Sequence, residues 1–268
     1  MAAPGAGVPA AAWLQRLLQR ERVVVAGGLL AAVGLAWGYL LAGAGTMEEM
    51  DGMLMPMSSG PWTAGHAAVM LAMWAVMMVA MMLPGAAPTI LLYASIARRR
   101  AGTAGAPAPG TLAFAAGYLA VWGAFSVAAV ALQFALERAA LLSPMMETSS
   151  IALAAGLLIG AGAYQWTPLK RDCLRRCRSP LEFVLTQWRE GRRGAFAMGW
   201  RHGAYCVGCC WVLMLLLFVG GVMNLGWIAG LAVYVMIEKL APAGHWIARA
   251  GGAALIAWGL ALLWTLRG

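Results

Sequence analysis

Charge is what this chain has least of. Only 11% of its 268 residues are Asp, Glu, Lys or Arg, and it holds ten acids and three histidines. A water-soluble domain carries about 25% charged residues. That shortage, with 62% hydrophobic residues and a mean hydropathy of +0.76, excludes a soluble globular fold and makes this an integral membrane protein. Engines are missing too. There is no phosphorylatable DKTG-like loop, no Walker glycine motif and no quinone or flavin motif. Any transport is therefore passive or coupled to a partner. No long internal repeat divides the chain. Its five cysteines are an odd number, and on a reducing cytoplasmic side they point to metal or thiol chemistry rather than to disulfides.

The charge that is present is basic, +9 in all, but the arginines sit between apolar runs, where the positive-inside rule accounts for them without nucleic acid. Residues 1–22 are an Ala/Gly/Pro start followed by a basic stretch with Arg16, Arg20 and Arg22. Val23–Ala42 is the first apolar span; a signal peptide is the alternative, but a signal core is usually about 7–15 residues, which favours an uncleaved anchor. Further spans are expected at His66–Tyr93, Thr111–Leu136, Ser150–Trp166, Gly203–Met223, Trp227–Ile237 and Trp246–Trp264. The expected fold is all-α, a polytopic transmembrane helix bundle of about seven spans forming one domain over 23–266. With the N-terminus cytoplasmic, 17 of the 19 Lys/Arg fall inside and only Arg138 and Arg267 outside. The sixth span is short for a crossing, so six spans is the alternative. Within the cytoplasmic loop 169–201, Pro180 is expected to open an amphipathic surface helix that ends before Gly191.

This orientation puts a Met/acid loop (43–63) outside and the cysteines inside. Eleven of the 18 methionines fall within residues 47–82. Met47, Met50, Met53, Met55 and Met57 interleave with Glu48, Glu49 and Asp51. Thioether sulfur is a soft neutral ligand that suits Cu(I). His66, Met70, Met73, Met77 and Met81 follow at helical spacing within about an 80° arc, while Met78 and Met82 face another side. Methionine is also a flexible gap-filler in packed helices. Pro84 and Pro88 either shape a pathway or let helices pack closely. On the fifth span, His202, Cys206 and Cys209 fall within about 60° and Cys210 lies just beside them. Cysteine alone is a small apolar residue that membrane helices tolerate, but three in five residues beside a histidine form a soft-metal pattern. In the polar loop, Cys173 and Cys177 are spaced i, i+4, and the surrounding arginines are expected to favour their thiolate forms. Glu238 reads as an interfacial acid solvated beside Lys239, and Asn224 as a helix cap or turn.

Four blocks, MWAVMMVAMMLPGAAP (73–88), TPLKRDCLRRCRSP (167–180), RHGAYCVGCCWVLM (201–214) and GVMNLGW…EK (221–239), occur together and in order. In this the chain resembles a family of bacterial integral membrane proteins known as a domain of unknown function and described as predicted metal-binding. The resemblance implies a metal-binding membrane protein whose matching positions are Met77, Met78, Met81, Met82, Cys173, Cys177, His202, Cys206, Cys209 and Cys210.

The leading expectation is Cu(I) handling at the bacterial inner membrane. Outer methionines would collect the ion, His66 and the Met stripe would conduct it, and the cytoplasmic thiolates would receive it. Expected partners are lipids, the metal ion and an extracytoplasmic metal chaperone or membrane partner protein. One alternative is a thiol oxidoreductase working Cys173/Cys177 against the Cys206–Cys210 group. Another is a structural or assembly subunit whose cysteines hold Zn(II).

Overall fold

The computed structural model describes residues 8–43, 47–50, 53–56, 62–101 and 109–266. The described chain is helical apart from one short hairpin and an isolated bridge between Leu142 and Thr148. Helix α1 (Val8–Leu41) includes the basic stretch and runs on through the first apolar span. Leu, Gln, Arg and Ala are good helix formers, and Pro9 stands in the first turn, where it is tolerated. Within the Met/acid loop, the strands β1 (Met47–Met50) and β2 (Met53–Pro56) pair antiparallel. Their side chains, with Asp51, Met57 and Arg267, lie outside the described residues.

Helix α2 (Ala64–Ala101) runs unbroken through Pro84 and Pro88. Helix α3 (Pro109–Arg138) follows, then α4 (Ile151–Tyr164). The expected polar loop is itself helical, as α5 (Pro168–Arg178), α6 (Pro180–Thr186) and the first turns of α7 (Gly191–Leu215). A single residue, Leu216, separates α7 from α8 (Leu217–Gly220), and α9 (Leu225–Leu240) and α10 (Gly244–Thr265) complete the bundle. Pro168 and Pro180 stand in the first turn of α5 and α6, where a missing N–H costs nothing. Asn224 caps α9 as expected, its Oδ1 accepting from Trp227 N at 3.1 Å.

Among the described residues, five helices are long and apolar enough to cross a membrane: Val23–Leu41, Ala64–Arg100, Pro109–Arg138, Gly191–Gly220 and Gly244–Thr265. The fourth and sixth expected spans correspond to α4 and α9, of 14 and 16 residues. The fifth span starts earlier than its apolar run suggests. Arg192, Arg193 and Arg201 lie within α7, because arginine is a good helix former and the first break in the ladder is at Gly191. The three cysteines therefore sit in the second half of α7.

The bundle core lies between α2, α3, α7 and α9. Gly117 on α3 and Gly199 on α7 let two backbones touch: a methyl on either would run into the carbonyl oxygen of Phe196 or Phe114. Contacts define two ends. At one, Trp62 meets Glu137 and the 139–150 loop bonds to the α8–α9 region through Thr148 N to Phe218 O (2.7 Å) and Val222 N to Met146 O (3.4 Å). At the other, α5 and α6 pack under α2, α7 and α9, and Arg178 donates to the carbonyls of Ala241 and Pro242.

Candidate metal centre

Sulfur from three helices meets at the α5–α6 end. Cys206, Cys209 and Cys210 on α7 are all buried. The Cys177 thiol reaches Cys206 and Cys209 across the α5–α7 contact. Met82 of α2 closes the opposite side, with its Sδ 3.9 Å from Cys210 Sγ. Two polar side chains enter this sulfur cluster. Lys239 Nζ donates to Cys206 Sγ at 3.0 Å and to Met82 Sδ at 3.7 Å. Tyr118 OH donates to Met82 O at 2.9 Å and lies 3.1 Å from Cys206 Sγ. The lysine stem reaches the site along Gly85, where a methyl would stand 3.2 Å from Lys239 Cδ. Gly85 thus serves as a groove for a cation beneath the Met-rich helix.

The thiols are not yet arranged around a common point. Cys209 and Cys210 both turn back along α7 to donate to Cys206 O, at 3.1 and 3.0 Å. All five cysteines are free. Among the described residues, no three His, Cys, Asp or Glu side chains are placed to hold one ion. Cys173 lies beside Gly208, which leaves the space its Sγ occupies.

His202 stands one turn before Cys206 inside an aromatic box, with ring centroids 5.2 Å from Phe183, 5.8 Å from Tyr118 and 6.2 Å from Phe114. Its Nδ1 is buried with no hydrogen-bond partner. Such an orphaned imidazole nitrogen is rare in folded proteins and is chemically a donor to a metal.

The arginines do not make thiolates of the loop cysteines. Burial raises the Cys173 pKa above its ordinary value, with Cys209 adding to it and Arg176 opposing. The Cys177 thiol is held well above the ordinary range, first because its proton is engaged by Cys206 and Cys209, then by burial. Proximity in sequence misled here: Arg178 is spent on backbone carbonyls, and Lys170 is buried against Glu238 at 2.6 Å.

That ion pair also overturns the expectation of a solvated Glu238. Its second oxygen accepts from Gln165 Nε2 at 3.0 Å, and the same Nε2 reaches Tyr234 OH at 3.0 Å. Glu238 and Lys170 are both almost fully enclosed. The network fastens the Cys-bearing α5 to α9, one residue from Lys239. Lys170, Glu238, Lys239 and Tyr118 are the site residues that spacing rules missed. The available signal was that two charged residues ended an otherwise apolar helix.

On α2, Met70, Met73, Met77 and Met81 are all buried, but so are Met78 and Met82. The helix is enclosed on both faces, and the methionine that reaches the cysteines is Met82, off the expected stripe. Met70 lies at the other end of the bundle, about 18 Å away along the helix, against Gln133. His66 packs edge-on to Trp62 at 4.9 Å, at that same end.

The model of the PpoB2 family, described as copper chaperone, matches residues 71–262. The chain belongs to this copper chaperone family. No curated protein and no solved structure matches it. Copper is accordingly its metal, a soft ion in keeping with the thiol and thioether donors. The protein is a copper handler rather than an enzyme, and nothing supports the thiol oxidoreductase alternative.

Proposed function

We propose that the chain is a membrane-embedded Cu(I) carrier that takes up the ion at its methionine-rich outer end and delivers it to a thiol centre at the cytoplasmic end. The observation that carries this reading is the convergence of Cys177, Cys206, Cys209, Cys210 and Met82 around a buried lysine. Two or three soft sulfurs suffice for Cu(I), whereas structural Zn(II) wants four ligands in a closed tetrahedron. The Met82 thioether beside Cys210 is a soft neutral donor that suits Cu(I) and binds Zn(II) poorly, which favours copper.

Copper here is cargo. On loading, Cys209 and Cys210 would rotate off the Cys206 carbonyl, which needs only a change of χ1. Two thiolates and one Cu(I) leave a net negative charge, and in an apolar interior such a charge needs a partner. Lys239 supplies it at 3.0 Å from Cys206. His202, with its free Nδ1, would be a further ligand one turn away, and Cys173 would lie at the cytoplasmic mouth. Met73, Met77 and Met81 fill α2 between the two ends and would pass the ion along. Sites weak enough to release the ion allow this without a deep trap.

The topology that goes with this is seven crossings with a cytoplasmic N-terminus in the bacterial inner membrane. Helices α4 and α9 are about 21 and 24 Å long, short of a hydrocarbon core of about 30 Å, and would cross with the bilayer thinned around them. The α5–α6 end then faces the cytoplasm with its arginines. An extracytoplasmic metal chaperone or membrane partner would supply or accept the ion.

The test is copper and zinc content of the purified protein by mass spectrometry, alongside Cys206→Ser/Cys209→Ser/Cys210→Ser. The expected result is copper in the wild type and a reduced copper stoichiometry in the variant. Unchanged copper would remove the thiol centre from the mechanism.

A further inference from the structure

The end of the bundle opposite the cysteines holds a second arrangement of soft and anionic donors, one that no spacing in the sequence connects. Its centre is the carboxamide of Gln133 on α3, which is fully buried. Trp74 Nε1 donates to Gln133 Oε1 at 2.8 Å, and that bond fixes which way the amide faces. The Nε2 group is thereby turned onto three acceptors at once: Met70 Sδ at 3.4 Å, Met146 Sδ at 3.4 Å and Glu137 Oε1 at 2.8 Å. An amide nitrogen carries two protons, so three acceptors crowd around two donors and one is always unsatisfied.

Two of the three, Glu137 and Met146, are held from outside the cluster. Trp62 Nε1 donates to the other oxygen of Glu137 at 2.6 Å. Met146 has φ +56, the left-handed region that a non-glycine residue seldom occupies. Its backbone is pinned there by Met146 N to Ser143 O (2.9 Å) and Val222 N to Met146 O (3.4 Å). A thioether delivered on strained backbone to a buried polar group is hard to explain as packing alone, since a comfortable loop could bury an apolar side chain there.

We propose that Met70, Met146 and Glu137 form a distinct outer Cu(I) site, with the Gln133 carboxamide standing where the ion enters. The three acceptors already surround one point at hydrogen-bond range. Metal–sulfur bonds are about 2.3 Å, so side-chain shifts of about 1 Å close them on a cation once the amide swings aside. Two neutral sulfurs give softness and select a Cu(I)-like ion, and Glu137 supplies the single negative charge that makes a monovalent cation acceptable under cover. No thiolate is involved, so this site is weaker than the cysteine centre, as an entry site on a path must be. The proposal rests on the reading of the chain as a Cu(I) carrier and names its first stop.

The experiment is titration of the full-length protein in detergent with Ag(I), a redox-inert substitute for Cu(I), against a competing chelator. Four proteins are compared: wild type, Met70→Leu/Met146→Leu, Met146→Gly, and Cys206→Ser/Cys209→Ser/Cys210→Ser. Wild type is expected to bind one equivalent more than either methionine variant, and the cysteine variant to keep one weakly held equivalent. Met146→Gly relaxes the backbone while deleting the sulfur, so loss of an equivalent with an unchanged melting profile separates ligation from folding. If both methionine variants bind as much Ag(I) as wild type, the outer site does not exist. If the cysteine variant binds none, the same conclusion follows. If wild type itself binds neither Ag(I) nor Cu(I), the carrier reading fails with it.

Discussion

The two ends of this bundle bury polar groups by opposite means. At the cysteine end the charges are complete: Lys170 pairs with Glu238 at 2.6 Å, and Lys239 is inserted among sulfurs at 3.0 Å from Cys206. At the opposite end the ring is neutral except for Glu137, and a carboxamide rather than an ammonium stands among the donors. A fixed cation suits a place where thiolates collect an ion and the net charge is negative. A neutral, displaceable amide suits a place where the ion only pauses. On the proposed reading, the counter-charge, more than the sulfur count, would separate a receiving site from a passing one.

That contrast can be broken by experiment, beginning where the effect is largest. Lys170→Met leaves the buried Glu238 with the Gln165 amide but no cation, and removing one partner of a buried pair costs about 3–5 kcal/mol. Thermal unfolding in detergent should show a large drop, and Lys170→Met/Glu238→Leu should recover much of it. Failure of the double variant to recover would mean the pair does more than neutralise itself. Next in size is Gly199→Ala, where the added methyl meets the Phe114 carbonyl. Overpacking of this kind costs about 1–3 kcal/mol, and the α3–α7 contact should loosen, visible as faster hydrogen exchange in both helices. Tyr118→Phe removes a donor to Met82 O and a neighbour of Cys206; a loss of about 1 kcal/mol is expected, with weaker retention of copper at the cysteine end and no change at the other.

The smallest effect sharpens the picture of the two thiols on α5. Because burial raises the Cys173 pKa above its ordinary value of 9.0, iodoacetamide should label it slowly at pH 8 and speed up only above pH 9. Cys177, held higher still, should lag behind it. Because the fold keeps these protons, their contribution to stability is fully present below the ordinary thiol value and is lost as the pH rises through the raised value of the folded state. Arg176→Ala removes an opposing influence and should slow Cys173 further. Rapid labelling of Cys173 at pH 7 would restore the arginine-activated thiolate.

Much of the bundle was legible in the chain because apolar runs of membrane length have one explanation. All seven expected spans correspond to helices, and Pro180 and Asn224 start helices as their local chemistry dictates. Helix ends were less legible. The α7 start at Gly191 was hidden because arginine is as comfortable in a helix as alanine is, and hydropathy cannot see a helix that leaves the apolar layer. Within the site, the cysteine positions were evident from spacing, whereas Met82 fell outside the chosen arc because an enclosed helix has no single functional face.

The sequence by itself determined the material: soft sulfur donors at two places, few charges, and helices long enough to hold them in a membrane. Periodicity and composition act locally, so they survive without knowledge of neighbours. Only the tertiary structure decided who meets whom. It brought Lys239 to Cys206, Lys170 to Glu238, and Met146 to Met70 and Gln133, pairs separated by 13 to 76 positions along the chain. Burial then set their chemistry, since a charge or a thiol in an apolar interior answers to whatever lies within hydrogen-bond reach rather than to its neighbours in sequence.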